Sequence, residues 1–279
     1  MEDDGFALVR KGRKSSKPGS KPSGRARPGS SSNTIQYRNV STRQNQPKDP
    51  ESVKKGILDA VEEKRSLLAR SPFFQQAMDS VATEMKAFRS SSGDLDIVCY
   101  GIGSLAGSRI SQLQFALCLL LHEIYSFRHL YIFDPIMSEM DRAIADHFNL
   151  TVIDTNERGK RTVSRPTLFY MPHCGAALYN NVLWANWGAS SLTNIAIIGN
   201  SFDMYCCSSL DSKLAAEGPF IKTIQAHTTE VALPSNFHDN DVFNNLSFHF
   251  FRPSSMDAID VLIWENAPEP ALTSSPEIL

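Results

Sequence analysis

Residues 96–125, DIVCYGIGSLAGSRISQLQFALCLLLHEIY, constrain the fold more than any other stretch. An apolar run, Ile97 to Tyr100, meets Gly101-Ile102-Gly103-Ser104, and a helical apolar pattern follows from about Ser108. Strand, glycine turn and helix in that order form the half-motif that holds phosphates or nucleosides in open α/β sheets. The turn is therefore expected to form one wall of the main pocket. Glycines there remove the Cβ atoms that would block a ligand, and the following helix would offer N–H groups to an anion.

The chain beyond this unit alternates in the same way. His129–Asp134 reads as a second strand, and Ser138–Phe148 as a helix with Met140, Ile144 and Phe148 inward. Leu150–Ile153 is a short third strand, Asn156–Arg165 a polar loop, and Thr167–Met171 a fourth strand. Pro172-His173-Cys174-Gly175 turns into a helix over Ala177–Trp187, and Asn194–Ile198 is a fifth strand closed by Gly199-Asn200-Ser201-Phe202. Later, Phe220–Ile224 and Thr229–Leu233 read as strands, Leu246–Phe251 as a half-buried strand, and Val261–Trp264 as a short apolar run. Such alternation predicts an α/β, Rossmann-like, mostly parallel sheet with right-handed crossovers and helices on both faces.

Two amphipathic helices precede this core. Val53, Ile57, Leu58, Val61 and Leu68 repeat at helical spacing. Ser71-Pro72 then restarts the chain with a serine cap and proline at the first helical position, and Phe74, Ala77, Met78, Val81, Met85 and Phe88 share one face. The expected organisation is a basic disordered tail over residues 1–50, a single domain over 51–265 and a loose end over 266–279. Within the domain, a helical extension occupies 51–90 and the core 95–265. Residues 12–50 are nearly empty of apolar side chains and cannot bury enough surface to offset their ordering entropy.

Charge is divided unevenly. Residues 1–50 hold eleven Lys and Arg against four Asp and Glu, and the remainder holds seventeen against twenty-six. The acidic body disfavours phosphate-backbone binding by the domain itself. The basic run Arg10–Lys14 suits nuclear import, a weak RNA contact or a solubilising tail. The longest apolar run, Phe115–Leu121, is far short of the ~20 residues a membrane span needs. Five cysteines without CxxC spacing read as reduced intracellular thiols, so a cytoplasmic or nuclear location is expected, with no membrane partner.

Ligands of open α/β sheets bind outside the C-terminal ends of the strands. That rule selects Gly101, Gly103 and Ser104, then Asp134, then Glu157, then His173 and Cys174, then Asn200 and Ser201. Asn181 joins them because an asparagine inside a helix carries a propensity cost. Gly101, Gly103 and Gly107 are spaced GxGxxxG, not the GxGxxG of NAD enzymes. Asp134 falls where a ribose-binding acid lies in dinucleotide and S-adenosylmethionine sites, although it follows the glycines later than usual. His173-Cys174 suits a nucleophile, a metal or haem ligand, or a structural turn. No HExxH, GxSxG or paired-cysteine spacing accompanies any of these, so the residues name no catalytic set, metal site or cofactor.

Five motifs stand in order: Tyr100-Gly101-Ile102-Gly103-Ser104, Gln114-Phe115-Ala116-Leu117, Phe133-Asp134-Pro135, Met171-Pro172-His173-Cys174 with Leu178-Tyr179-Asn180-Asn181, and Ile198-Gly199-Asn200-Ser201-Phe202. Together they resemble the SRR-like family, named for sensitivity to red light reduced. The resemblance spans roughly residues 95–204 and excludes the basic tail. It implies a regulatory role: light input to the circadian clock in plants, clock-gene expression and haem biosynthesis in animals, microtubule stability in a fungal relative. It carries no catalytic residues with it. Three functional readings follow. One is a regulator whose pocket takes a small molecule or a partner protein's peptide. Another is a nucleotide- or S-adenosylmethionine-dependent transferase. The third is nucleic-acid contact through the tail, which has only Phe6 and Tyr37 for base stacking.

Overall fold

The structure is a computed structural model that describes residues 49–89, 94–208, 211–265 and 267–271. The basic tail therefore lies almost wholly outside the described residues, as does most of the C-terminal end. Residues 47–279 form one compact unit.

Helices α1 (Pro50–Ala69) and α2 (Pro72–Arg89) lead into β1 (Asp96–Tyr100), α3 (Arg109–Tyr125), β2 (Leu130–Phe133), α4 (Glu139–His147) and β3 (Thr151–Val152). The chain then returns through β4 (Thr167–Met171), α5 (Ala176–Ala185), α6 (Ala189–Leu192) and β5 (Ile195–Asn200). Short helices α7 (Phe202–Ser208), α8 (Asp211–Glu217) and α9 (Pro219–Ile224) precede β6 (Thr229–Ala232) and α10 (Asn240–Phe243). The described chain closes with β7 (Leu246–Phe250), α11 (Pro253–Met256) and α12 (Val261–Glu265).

The sheet order is β3-β2-β1-β4-β5-β7-β6. β3, β2, β1, β4 and β5 pair in parallel, while β7 runs antiparallel to both β5 and β6. The chain winds outward from β1 to β3, then returns across β1 to β4 and winds the other way. The topological switch point is thus between β1 and β4, where such sheets open a crevice at their C-terminal edge.

β1 and β4 are buried along their whole length, as expected for central parallel strands covered on both faces. Period-two alternation sends Ile97, Cys99, Leu168 and Tyr170 to a core shared with α1, α2 and α3. Val98, Tyr100, Phe169 and Met171 face a second core shared with α5 and α9. α3 is apolar on nearly all sides because it lies between the sheet and α1. Its N-cap is Ser108, whose hydroxyl accepts from Ser111 N at 3.1 Å.

Two sequence expectations are corrected. Phe220–Ile224 is part of helix α9, because Pro219 starts a helix in which Phe220, Ile221 and Ile224 form one buried face against α5. The short apolar run Val261–Trp264, which carried no secondary-structure expectation, is helical in α12, with Val261 and Leu262 exposed. β7 was expected to be half-buried and is buried throughout, because α2 covers its outer side.

Candidate functional site

A cavity of about 510 Å³ opens at the switch point. Its walls come from Tyr100–Gly103 after β1, Phe133–Ile136 after β2, Asn156, Arg158 and Gly159 after β3, and Pro172–Cys174 after β4. Ile110, Ser111 and Gln114 of α3, Leu178 of α5 and Asp241 of α10 complete it. Five of the sequence candidates are brought together here: Gly101, Gly103, Asp134, His173 and Cys174.

Both glycines of the turn are left-handed, with φ of +68° at Gly101 and +75° at Gly103. A Cβ on Gly101 would stand 2.3 Å from Cys174 Sγ, and one on Gly103 2.8 Å from Ser111 Oγ. Backbone conformation and close packing both require glycine at these positions. Cys174 is buried against this turn, with its thiol directed to the Tyr100 carbonyl at 3.5 Å.

Within the turn, the Gly103 amide goes to a carboxylate of the protein itself. Gly103 N donates to Asp134 Oδ2 at 2.6 Å, and Asp134 Oδ1 accepts from Ile136 N at 3.0 Å. Further along, Ala106 N donates to Asp141 Oδ1 at 2.8 Å, and the Ser104 hydroxyl contacts both Asp141 oxygens at 3.3 Å. Asp141 also closes a capping box with Ser138 at the start of α4. Burial pushes the Asp141 carboxyl up, but bonds from the Ser138 hydroxyl and amide, Ala106 N and Ser104 outweigh it, leaving its pKa below the ordinary value. The anion expected at this turn is supplied by the protein's own carboxylates.

The remaining candidates are spent inside the protein. Ser104 serves Asp141 and does not line the cavity. Glu157 accepts the Tyr100 hydroxyl at 2.6 Å and holds Arg161 through two nitrogens at 2.8 Å. Burial, then the bond to Glu157, raises the Tyr100 phenol well above its ordinary value, so it stays protonated. Asn181 donates to the Arg158 carbonyl at 2.8 Å and lines a separate cavity of about 620 Å³ between α5, α9 and residues 268–271. Asn200 donates to the Cys174 carbonyl at 3.0 Å and to the Tyr205 hydroxyl at 2.9 Å, while its buried Oδ1 has no partner among the described residues. Ser201 caps α7 by accepting from Met204 N at 3.0 Å. None of these five side chains lines the switch-point cavity.

His173 is exposed at φ +58°, and its Nε2 lies 3.0 Å from the Val242 carbonyl. A carbonyl only accepts, so Nε2 donates this bond. Gln114 donates to the same carbonyl at 3.1 Å, and Arg109 pairs with Asp239. These contacts fix α10, and with it Asp241, over the mouth of the cavity. Ile110 and Ile136 also flank it, both large apolar side chains left exposed. Among the described residues no group of His, Cys, Asp and Glu is arranged to hold a metal ion.

Arg158 and Asp241 line the cavity and were missed from sequence. Each is one of several charged residues in a polar segment, without spacing to mark it. Among the described residues, neither side chain has a hydrogen bond or ion pair.

Residues 70–250 match the SRR1 domain family. The mouse "SRR1-like protein" is 44% identical over 116 residues, covering 40% of this chain and 47% of the relative. The "SRR1-like protein" of Drosophila melanogaster is 30% identical over 189 residues, covering 68% and 66%. The Arabidopsis thaliana "Protein SENSITIVITY TO RED LIGHT REDUCED 1" is 33% identical over 175 residues, covering 61% and 64%. The matched stretch thus spans between about half and two thirds of these relatives' own length. No solved structure matches.

Proposed function

The chain belongs to the SRR1 domain family, and on that premise we propose that it is a regulatory protein that binds a small molecule or a partner's peptide at the switch-point cavity. Its role is in clock-gene expression and the control of haem biosynthesis, in the cytoplasm, the nucleus or both. The name of the Arabidopsis relative, which refers to red-light sensitivity, supports the biological half of this reading. The observation that carries the molecular half is the convergence of four strand ends on one concave, largely apolar cavity with a few polar groups, the usual form of a ligand site.

Cells lacking the protein should show altered clock transcripts and altered haem-pathway output, restored by the wild-type chain. Ile136→Lys places a charge on an exposed cavity rim without disturbing the core, and should restore neither. Unaltered transcripts and haem output in the null cells would overturn the role. Full rescue by Ile136→Lys would overturn the cavity's part in it.

A second reading is favoured by one observation: Asp134 ends β2 on the cavity wall, beside the glycine turn of β1. A doubly wound sheet with this strand order and a reversed β7 is also the arrangement of S-adenosylmethionine-dependent transferases, an analogy of fold and not of site. Thermal shift with S-adenosylhomocysteine tests cofactor binding, and methyl transfer from S-adenosylmethionine separates the two readings. A ligand at 100 Kd stabilises by about 2.7 kcal/mol, which thermal shift resolves.

A further inference from the structure

We propose that the switch-point cavity takes a small zwitterion: a carboxylate read by Arg158 and an ammonium read by Asp241, joined by an apolar frame. The inference rests on the reading of this cavity as a ligand site and assigns the chemistry of its occupant.

The two charges reach the cavity from opposite faces of the sheet. Arg158 belongs to the loop packed on α5, where Gly159 lies so close that a Cβ would stand 2.9 Å from the Leu178 carbonyl. Asp241 belongs to α10, whose Val242 and Phe243 are buried in the core with α3. The ligand would therefore bridge the C-terminal edge of the sheet from one layer to the other.

Each charged residue is held by its backbone, while its side chain has no partner among the described residues. Arg158 N donates to Asn156 Oδ1 at 2.9 Å, and the Arg158 carbonyl accepts from Asn181 at 2.8 Å. On the other side, Gln114 and His173 both donate to the carbonyl of Val242, next to Asp241. A fixed backbone under a free charge is how a protein orders a binding group in advance of its ligand. A salt bridge between Arg158 and Asp241 would have cancelled both charges, and none forms. Between them the walls are apolar, with Phe133, Ile136 and Leu178.

The glycine turn sharpens the assignment. Gly103 N is already bonded to Asp134, so a phosphate there would meet a carboxylate in place of a free amide. The acidic group of the ligand is thereby directed to Arg158, whose planar guanidinium suits a carboxylate.

The test uses the isotope-labelled full chain and matched probes followed by amide shifts of Gly101, Gly103 and Gly159. Phenylalanyl-phenylalanine and S-adenosylhomocysteine carry both charges. N-acetyl-phenylalanyl-phenylalanine lacks the ammonium, phenylalanyl-phenylalanine amide lacks the carboxylate, and ADP carries phosphates. At least one zwitterion should shift these amides, and for the dipeptide each single-charge analogue should bind about tenfold more weakly. Arg158→Gln should lower dipeptide affinity to that of its amide while leaving the amide's own binding unchanged, and Asp241→Asn should do the same relative to the acetylated form. Unshifted spectra elsewhere would show both variants folded. If ADP or a single-charge analogue shifts the cavity amides and neither zwitterion does, the charge assignment falls and the ligand-site reading stands. If no probe shifts them at millimolar concentration, both fall.

Discussion

Gly103 donates its amide to Asp134 across 2.6 Å, so the acid at the end of β2 fills the anion position of the glycine turn at the end of β1. One pairing stitches two strand ends together and takes the Gly103 amide away from any anion. Where other glycine turns leave this N–H for a ligand, here it goes to the protein's own carboxylate.

Asp134 is buried and bonded to two backbone amides, so its removal should cost stability more than binding. Asp134→Ala strips both amides of their acceptor. It should destabilise by about 2 kcal/mol, read as a lower urea midpoint at unchanged slope. Asp134→Asn keeps one good acceptor oxygen and should lose roughly half as much. Equal stability of Asp134→Ala and wild type would show that the turn holds its shape without the acid.

The ends of the strands were legible because strand bodies are apolar and their C-terminal residues are not. Asp134, His173 and Asn200 each announce themselves by that contrast. What the pattern does not carry is the direction in which a polar group at a strand end bonds. Glu157 and Ser104 stand at the right places and turn inward, to Arg161 and Asp141. Asn181 and His173 were chosen as pocket groups, and their hydrogen bonds go to the backbone beside two other residues, Arg158 and Asp241. Those two had no periodicity to mark them, since a free surface charge and a pocket charge look alike in sequence. The error at Phe220–Ile224 has a similar origin: five residues are too few for period two and period 3.6 to separate, and Pro219 was the better guide.

Gly101 and Cys174 should behave as a coupled pair. Gly101→Ala places a methyl against the sulfur and also forces alanine into a left-handed conformation, so a loss of about 2–4 kcal/mol is expected. Cys174→Ala in the same chain removes the clash and leaves the backbone cost of about 1–2 kcal/mol. Strict additivity in a thermal-denaturation cycle would contradict the close packing of these two residues.

Stability should also fall in strong acid through Glu230. This carboxylate accepts from Phe202 N at 3.2 Å and Asp203 N at 3.1 Å, capping α7 from the neighbouring strand β6, and lies 3.6 Å from the buried His249 Nε2. Burial pushes its pKa up, but His249 and the hydroxyls of Ser201 and Ser247 pull it down to about 2. A depressed acid stabilises the fold fully above its unfolded pKa, and the contribution disappears as pH falls through the folded one. The loss therefore runs from about pH 4.5 down to about pH 2 and amounts to roughly 3 kcal/mol. Glu230→Gln should flatten the stability profile across that window and lie below wild type at pH 7. An unchanged slope of unfolding free energy against pH would refute the assignment.

Asn181 and His173 hold opposite sides of the cavity by separate bonds, and their removal should be separable too. Asn181→Leu keeps the side-chain volume and leaves the Arg158 carbonyl without its donor, at a cost of about 1–2 kcal/mol. Amide exchange should quicken over residues 158–160, on the α5 side, while α10 keeps its protection. His173→Ala removes one of the two donors to the Val242 carbonyl. Exchange should then quicken at Asn244, whose amide bonds to the Asn240 carbonyl across α10, and not near Gly159. Because Gln114 still holds Val242, the second loss should be the smaller one. If either substitution loosened both segments equally, the cavity would be one cooperative unit and not a space between two independently anchored walls.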